Sequence, residues 1–107
     1  MSEMKLAISA DPAALAAFCE RWSVSELAAF GSVLTARFGP ESDVDLLLTP
    51  RAGTIWSLLD QGQMRDELSA VFGRPVDLLV RSAVEHSHNW IRRTEILSTA
   101  EPLYAAR

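Results

Sequence analysis

The spacing of apolar residues changes period several times along the chain, and each change marks an element. Asp11 followed by Pro12 reads as an N-cap and a first helical position, where the missing proline N–H costs nothing, so a helix is predicted over Pro12–Arg21. Val24–Phe30 reads as a first strand, which Gly31-Ser32 ends. A short helical turn is predicted at Val33–Arg37, terminated by Gly39-Pro40. The run Asp43-Val44-Asp45-Leu46-Leu47-Leu48 is a strand dense enough in apolar residues to lie inside a sheet, and Pro50 closes it. Ile55, Leu58, Leu59, Met64, Leu68, Val71 and Phe72 recur at helical spacing, which predicts a long packing helix over Ile55–Phe72 with an irregularity at Gly62. Gly73 caps that helix, and Pro75–Val80 forms a third strand. A last helix is predicted over His88–Ala100, capped by Ser87, with Trp90, Ile91, Leu97 and Ala100 turned inward and Pro102 beyond its end.

Helix, strand, short helix, strand, long helix, strand and helix in that order define an α/β fold, a small mixed β-sheet covered by helices. The helical crossover makes the second and third strands parallel, and the short excursion after the first permits an antiparallel pair. Residues 1–107 are treated as a single domain, since no linker, repeat or low-complexity tract divides them. With 49% hydrophobic and 22% charged residues the chain can bury a core, which excludes a disordered segment.

The net charge of −4 argues against an extended nucleic-acid surface. No apolar window is long enough to span a membrane, and no basic start with an apolar run suggests secretion, so the expected location is the cytoplasm. The lone Cys19 has no disulfide or metal-binding companion and reads as a small buried residue, as a reducing compartment permits.

The chemistry concentrates in three places. In a strand, residues two apart face the same way, so Asp43 and Asp45 project together with Cα atoms roughly 6.5–7 Å apart, while Val44, Leu46 and Leu48 face the other side. Two carboxylates on one face repel unless a cation lies between them, and Mg²⁺ or Mn²⁺ favours such oxygen ligands. Asp77 and Leu79 share a face of the third strand in the same manner, so matching register would bring a third carboxylate to the pair. Gly31-Ser32 supplies the complement: glycine admits a close phosphate, and N–H groups at a helix start bind anions. Three acids beside such a turn suit the alignment of a triphosphate for in-line attack.

Gly31-Ser32, ten residues, then Asp43-Val44-Asp45 resembles the GS-x10-D-x-D motif of the DNA polymerase β-like nucleotidyltransferases. Ala29-Phe30 before the motif and Leu46-Leu47-Leu48 after it agree with that signature. Gly73-Arg74-Pro75-Val76-Asp77-Leu78 resembles the strand holding the family's third acid. Ile96-Leu97 through Leu103-Tyr104-Ala105 is similar to the C-terminal helix and tail of the minimal nucleotidyltransferase (MNT) proteins.

The resemblance implies the polymerase β-like fold, ATP as substrate, and the metal acids Asp43, Asp45 and Asp77. It also implies a HEPN ribonuclease toxin as partner, for which the chain would be the antitoxin, with AMP passed to a tyrosine of that toxin. One departure is visible. Many MNT proteins carry a basic residue and a glycine soon after the Gly-Ser, where this chain has Val33-Leu34-Thr35-Ala36, and the nearest arginine is Arg37. Two alternatives therefore stay open: an antitoxin that occludes its partner with an idle nucleotide site, and nucleotidyl transfer to RNA or a small molecule. A second copy of the chain is a further candidate partner.

Arg92 and Arg93 read as a solvated helix face, with a role near nucleotide or partner as the rival. His86 and His88 lack zinc-ligand spacing and read as cap or loop residues. Burial is expected for Trp22, Trp56 and Trp90, with Trp56 also a candidate for a partner-binding patch.

Overall fold

The computed structural model describes residues 10–31, 39 and 42–106. Helix α1, Pro12–Arg21, begins at Asp11, whose carboxylate accepts a hydrogen bond from the Ala13 N–H at 3.1 Å. Strands β1 (Val24–Phe30) and β2 (Val44–Pro50) pair antiparallel. Helix α2 covers Leu58–Phe72 and ends at Gly73, whose φ of 71° and ψ of 23° are the left-handed values that a side chain disfavours. Strand β3, Val76–Val80, runs parallel to β2. Helices α3 (Arg81–Glu85) and α4 (Trp90–Thr99) follow, and β4 (Glu101–Ala105) returns antiparallel to β1. The sheet order is β3-β2-β1-β4, so the mixed α/β architecture read from the sequence is the observed one.

Strand alternation sorts the core into two layers. Val44, Leu46, Leu48, Leu27, Ala29 and Val76 meet α1 and α2 through Phe18, Cys19, Met64 and Leu68. Ala28, Phe30 and Leu47 on the opposite face meet Val84 of α3 and Ile96 of α4. β2 has neighbours on both sides and buries both faces, which accounts for its unbroken Leu46-Leu47-Leu48.

Several expectations differ from the structure. The long helix starts at Leu58, not Ile55, because Ser57 forms a capping box: its hydroxyl accepts from the Asp60 N–H at 3.0 Å and Asp60 accepts from the Ser57 N–H at 2.9 Å. Ile55, Leu58 and Leu59 are consequently 92%, 86% and 73% exposed and take no part in the packing. Gly62 lies within the continuous helix rather than at a break in it.

The last helix is capped by Asn89, which accepts from the Arg92 N–H at 3.1 Å, while Ser87 instead accepts from the Asn89 N–H. Trp90 and Ile91 lie outward, at 63% and 61% exposure, and Ile96 carries the inward packing. The sequence pattern predicts neither α3 nor β4. Pro102 sits inside β4 opposite Ala28, a place open to proline because β4 is an edge strand. The turn expected at Val33–Arg37 and its stop at Pro40 lie outside the described residues.

Cys19 is fully buried beneath the sheet, and that burial pushes its thiol up to about 12 despite the opposing field of Arg51. A thiol so raised is protonated at pH 8 and shielded. An aromatic disulfide reagent at that pH is expected to leave Cys19 unmodified in folded protein and to label it fully in denaturant; labelling at the rate of a free thiol without denaturant would contradict this placement.

Candidate active site

The sheet sets Asp45 and Asp77 side by side with Gly31 against Asp45, and Asp43 falls just before β2. β1 ends at Phe30, whose register partner on β2 is Asp45. The next residue, Gly31, has a φ of 78°, in the left-handed region where a β-carbon is unfavourable. A second constraint falls on the same residue. A β-carbon built there would collide with the Asp45 carboxylate oxygen and stand 3.2 Å from its Cγ. Gly31 is therefore the residue that lets the backbone lie directly against Asp45.

Across β2 the parallel register pairs Asp45 with Asp77 and Leu47 with Leu79. Both acids consequently lie on the sheet face occupied by Phe30 and Leu47, opposite the face that packs on α1 and α2. Asp43 comes immediately before β2, two residues from Asp45, and Val44 between them donates to the Pro75 carbonyl at 3.0 Å. Asp43 and Asp77 are exposed and Asp45 is half-buried.

Side by side on adjacent strands, Asp45 and Asp77 repel when both are ionised. Among the described residues, no group of three or more His, Cys, Asp and Glu side chains closes into a metal-ligating cluster. Asp45 and Asp77 share a face and a register, Asp43 precedes the strand, and the three do not converge on one point. Their hard oxygen donors, their like charge and the backbone set against Asp45 at Gly31 fit a divalent cation. Ser32, Val33, Thr35 and Arg37 lie outside the described residues.

On the same face of the sheet, Leu79, Ala83, Val84 and Ile96 together with Arg92 and Arg93 line a cavity of about 140 Å³ that none of the three acids lines. Arg93 is tied down by its bond to the Ser87 carbonyl at 2.9 Å, whereas Arg92 is exposed. His86 caps α3 and His88 lies in the loop that follows, as expected of residues without ligand spacing. Trp22 and Trp56 are half-buried and anchored through their indole N–H groups, to Glu67 at 3.0 Å and to the Trp22 carbonyl at 2.8 Å, and Trp90 is exposed.

Sequence reasoning assigns no role to two arginines that flank β3. Arg81 opens α3 and donates to Thr49 and Glu26, fastening α3 to β2 and β1. Arg74 donates to the carbonyls of Gly39 and Ser42, next to Asp43. Their positions, one at the end of β3 and one just before it, are the only sequence signal.

The chain matches the model of the nucleotidyltransferase domain family over residues 13–98 and belongs to that family. No curated protein sequence matches it significantly. Among solved structures it is similar to a minimal nucleotidyltransferase, with 27% identity and a TM-score of 0.65 over 86% of this chain and 88% of the other. A toxin–antitoxin complex crystallised with AMP-PNP superposes with a TM-score of 0.67 over 91% of this chain and 75% of the other, at 11% identity. An MntA-HepT toxin–antitoxin structure does so with a TM-score of 0.59 over 89% and 70%, at 10% identity. At those two identities the likeness is one of fold, and the fold is that of the minimal nucleotidyltransferases.

Proposed function

We propose that this chain is a metal-dependent protein adenylyltransferase, passing AMP from ATP to a hydroxyl on a HEPN ribonuclease toxin and thereby serving as its antitoxin. The observation that carries this reading is the parallel register that sets Asp77 beside Asp45, with Gly31 against Asp45 from the other side. The fold shared with toxin–antitoxin complexes, one of them crystallised with AMP-PNP, supports the choice of partner and of nucleotide.

In this reading Gly31 and Ser32 hold the phosphates, Asp43 and Asp45 hold Mg²⁺ or Mn²⁺, and Asp77 completes the set. Bound cations would neutralise the triphosphate charge that grows as pyrophosphate departs. Asp77 orients the acceptor hydroxyl and takes its proton. The hydroxyl oxygen then bonds to the α-phosphorus while the bond to the bridging oxygen of pyrophosphate breaks. Asp77 suits the acceptor side because β3 is the sheet edge and Gly31, where the pyrophosphate would lie, follows β1 on the far side of β2.

Co-expression tests this directly. Toxin recovered with the wild-type chain should gain the mass of one or more AMP groups by mass spectrometry, and toxin recovered with the Asp43→Ala, Asp45→Ala double variant should not. Occlusion is the second reading, favoured by the exposed apolar residues Ile55, Leu58 and Leu59. Toxin neutralised by the double variant as well as by wild type would select it.

A further inference from the structure

Between the glycine turn and Asp43 the chain must return from β1 to β2, and its last residues fix where Asp43 stands. Gly39 and Ser42 are closed on each other: the Ser42 N–H donates to the Gly39 carbonyl at 3.0 Å, and the Gly39 N–H donates to the Ser42 hydroxyl at 3.0 Å. One guanidinium nitrogen of Arg74 also bonds both carbonyls, Gly39 at 3.2 Å and Ser42 at 3.1 Å. The Ser42 carbonyl belongs to the peptide that leads into Asp43. Arg74 itself stands three residues before Asp77, joined to it through Pro75, whose carbonyl accepts from Val44, and Val76, the register partner of Val44.

From this we infer that Arg74 is a positioning residue, one that braces the Asp43 backbone against the strand carrying Asp77 and so fixes the spacing of the acids. A half-buried guanidinium suits that bracing role, because one of its nitrogens donates to two carbonyls at once while its plane holds that nitrogen in place. Lysine, a single ammonium on a flexible stem, reproduces the charge but only part of that geometry.

The inference rests on the metal-acid reading of Asp43, Asp45 and Asp77, and the test separates the two. Mn²⁺ binding in the presence of a non-hydrolysable ATP analogue is followed by calorimetry, and amide hydrogen exchange at Ser42 and Val44 is measured without metal. Arg74→Ala is expected to weaken Mn²⁺ binding about 10- to 100-fold, the usual effect of losing a group that orients metal ligands. It should also speed exchange at those two amides relative to the β1 amides, with Arg74→Lys recovering part of both losses.

Should Arg74→Ala fail to fold, Ser42→Ala, which removes only the bond to the Gly39 N–H, is expected to shift both readouts in the same direction by less. Unchanged Mn²⁺ binding together with unchanged exchange in these variants would overturn the inference. Absence of Mn²⁺ binding in the wild type would instead overturn the metal reading, and the exchange data would still decide whether Arg74 braces the turn.

Discussion

Asp77→Asn is expected to yield a protein slightly more stable than wild type and almost without transferase activity. The two effects have one origin. Asp77 is exposed on an edge strand in register with Asp45, which sets two like-charged side chains next to each other on adjacent strands. Removing one charge should raise the unfolding free energy by about 0.5 kcal/mol, within the range of cross-strand pair effects. In the proposed mechanism the same change removes the group that takes the acceptor proton, with an expected loss of about 10²- to 10⁴-fold in rate. Denaturant titration and label transfer on the same preparations check both signs. A variant that is less stable, or as active as wild type, would contradict the placement of Asp77 in the site.

Gly31→Ala is the second large effect. The left-handed conformation costs a non-glycine residue roughly 1–2 kcal/mol, which for a domain of this size corresponds to a fall in Tm of roughly 5–10 °C. The new methyl must also displace the Asp45 carboxylate or push the turn away from it. Nucleotide binding is therefore expected to be lost even at temperatures where the variant is fully folded. Calorimetry of ATP-analogue binding, run beside a thermal melt, reads the two consequences separately. Retained affinity in a folded Gly31→Ala protein would mean that the contact with Asp45 is unimportant to the site.

Most of this site was legible because its logic is local or one strand wide. Asp45 and Asp77 announce their faces by period two, although Asp43, read as part of the same strand, falls just before it, and the helical crossover implied the parallel pairing seen in the Asp45–Asp77 register. The glycine at position 31 could be assigned to a turn, although its second constraint, the approach to Asp45, exists only in three dimensions.

The misread portions share a different cause. Helical spacing at Ile55, Leu58 and Leu59 does not reveal which turn meets the sheet, and the Ser57 cap starts the helix too late for them to be covered. At five residues α3 is too short to display a period. β4 was concealed by Pro102, which stops a helix but is tolerated on a sheet edge. Arg74 reaches back to Gly39, 35 residues earlier, and no spacing rule records such a contact.

The exposed residues Ile55, Leu58 and Leu59 and the acid face also separate the possible jobs of the molecule. Apolar residues in water suit contact with a partner, while the acids and Gly31 suit chemistry on a nucleotide. Loss of one need not abolish the other, so neutralisation of a toxin and modification of it are distinct measurements.

In the proposed function, Asp45 and Asp77 on one sheet face, with Asp43 just before β2, transfer a nucleotidyl group. The most direct measurement incubates the purified chain, Mg²⁺ and the partner toxin with ATP labelled at either the α- or the γ-phosphate. Label from the α-phosphate should appear on the toxin and label from the γ-phosphate should leave as pyrophosphate, with both events absent for the Asp43→Ala, Asp45→Ala protein. Transfer of α-label that survives the double substitution would contradict the account.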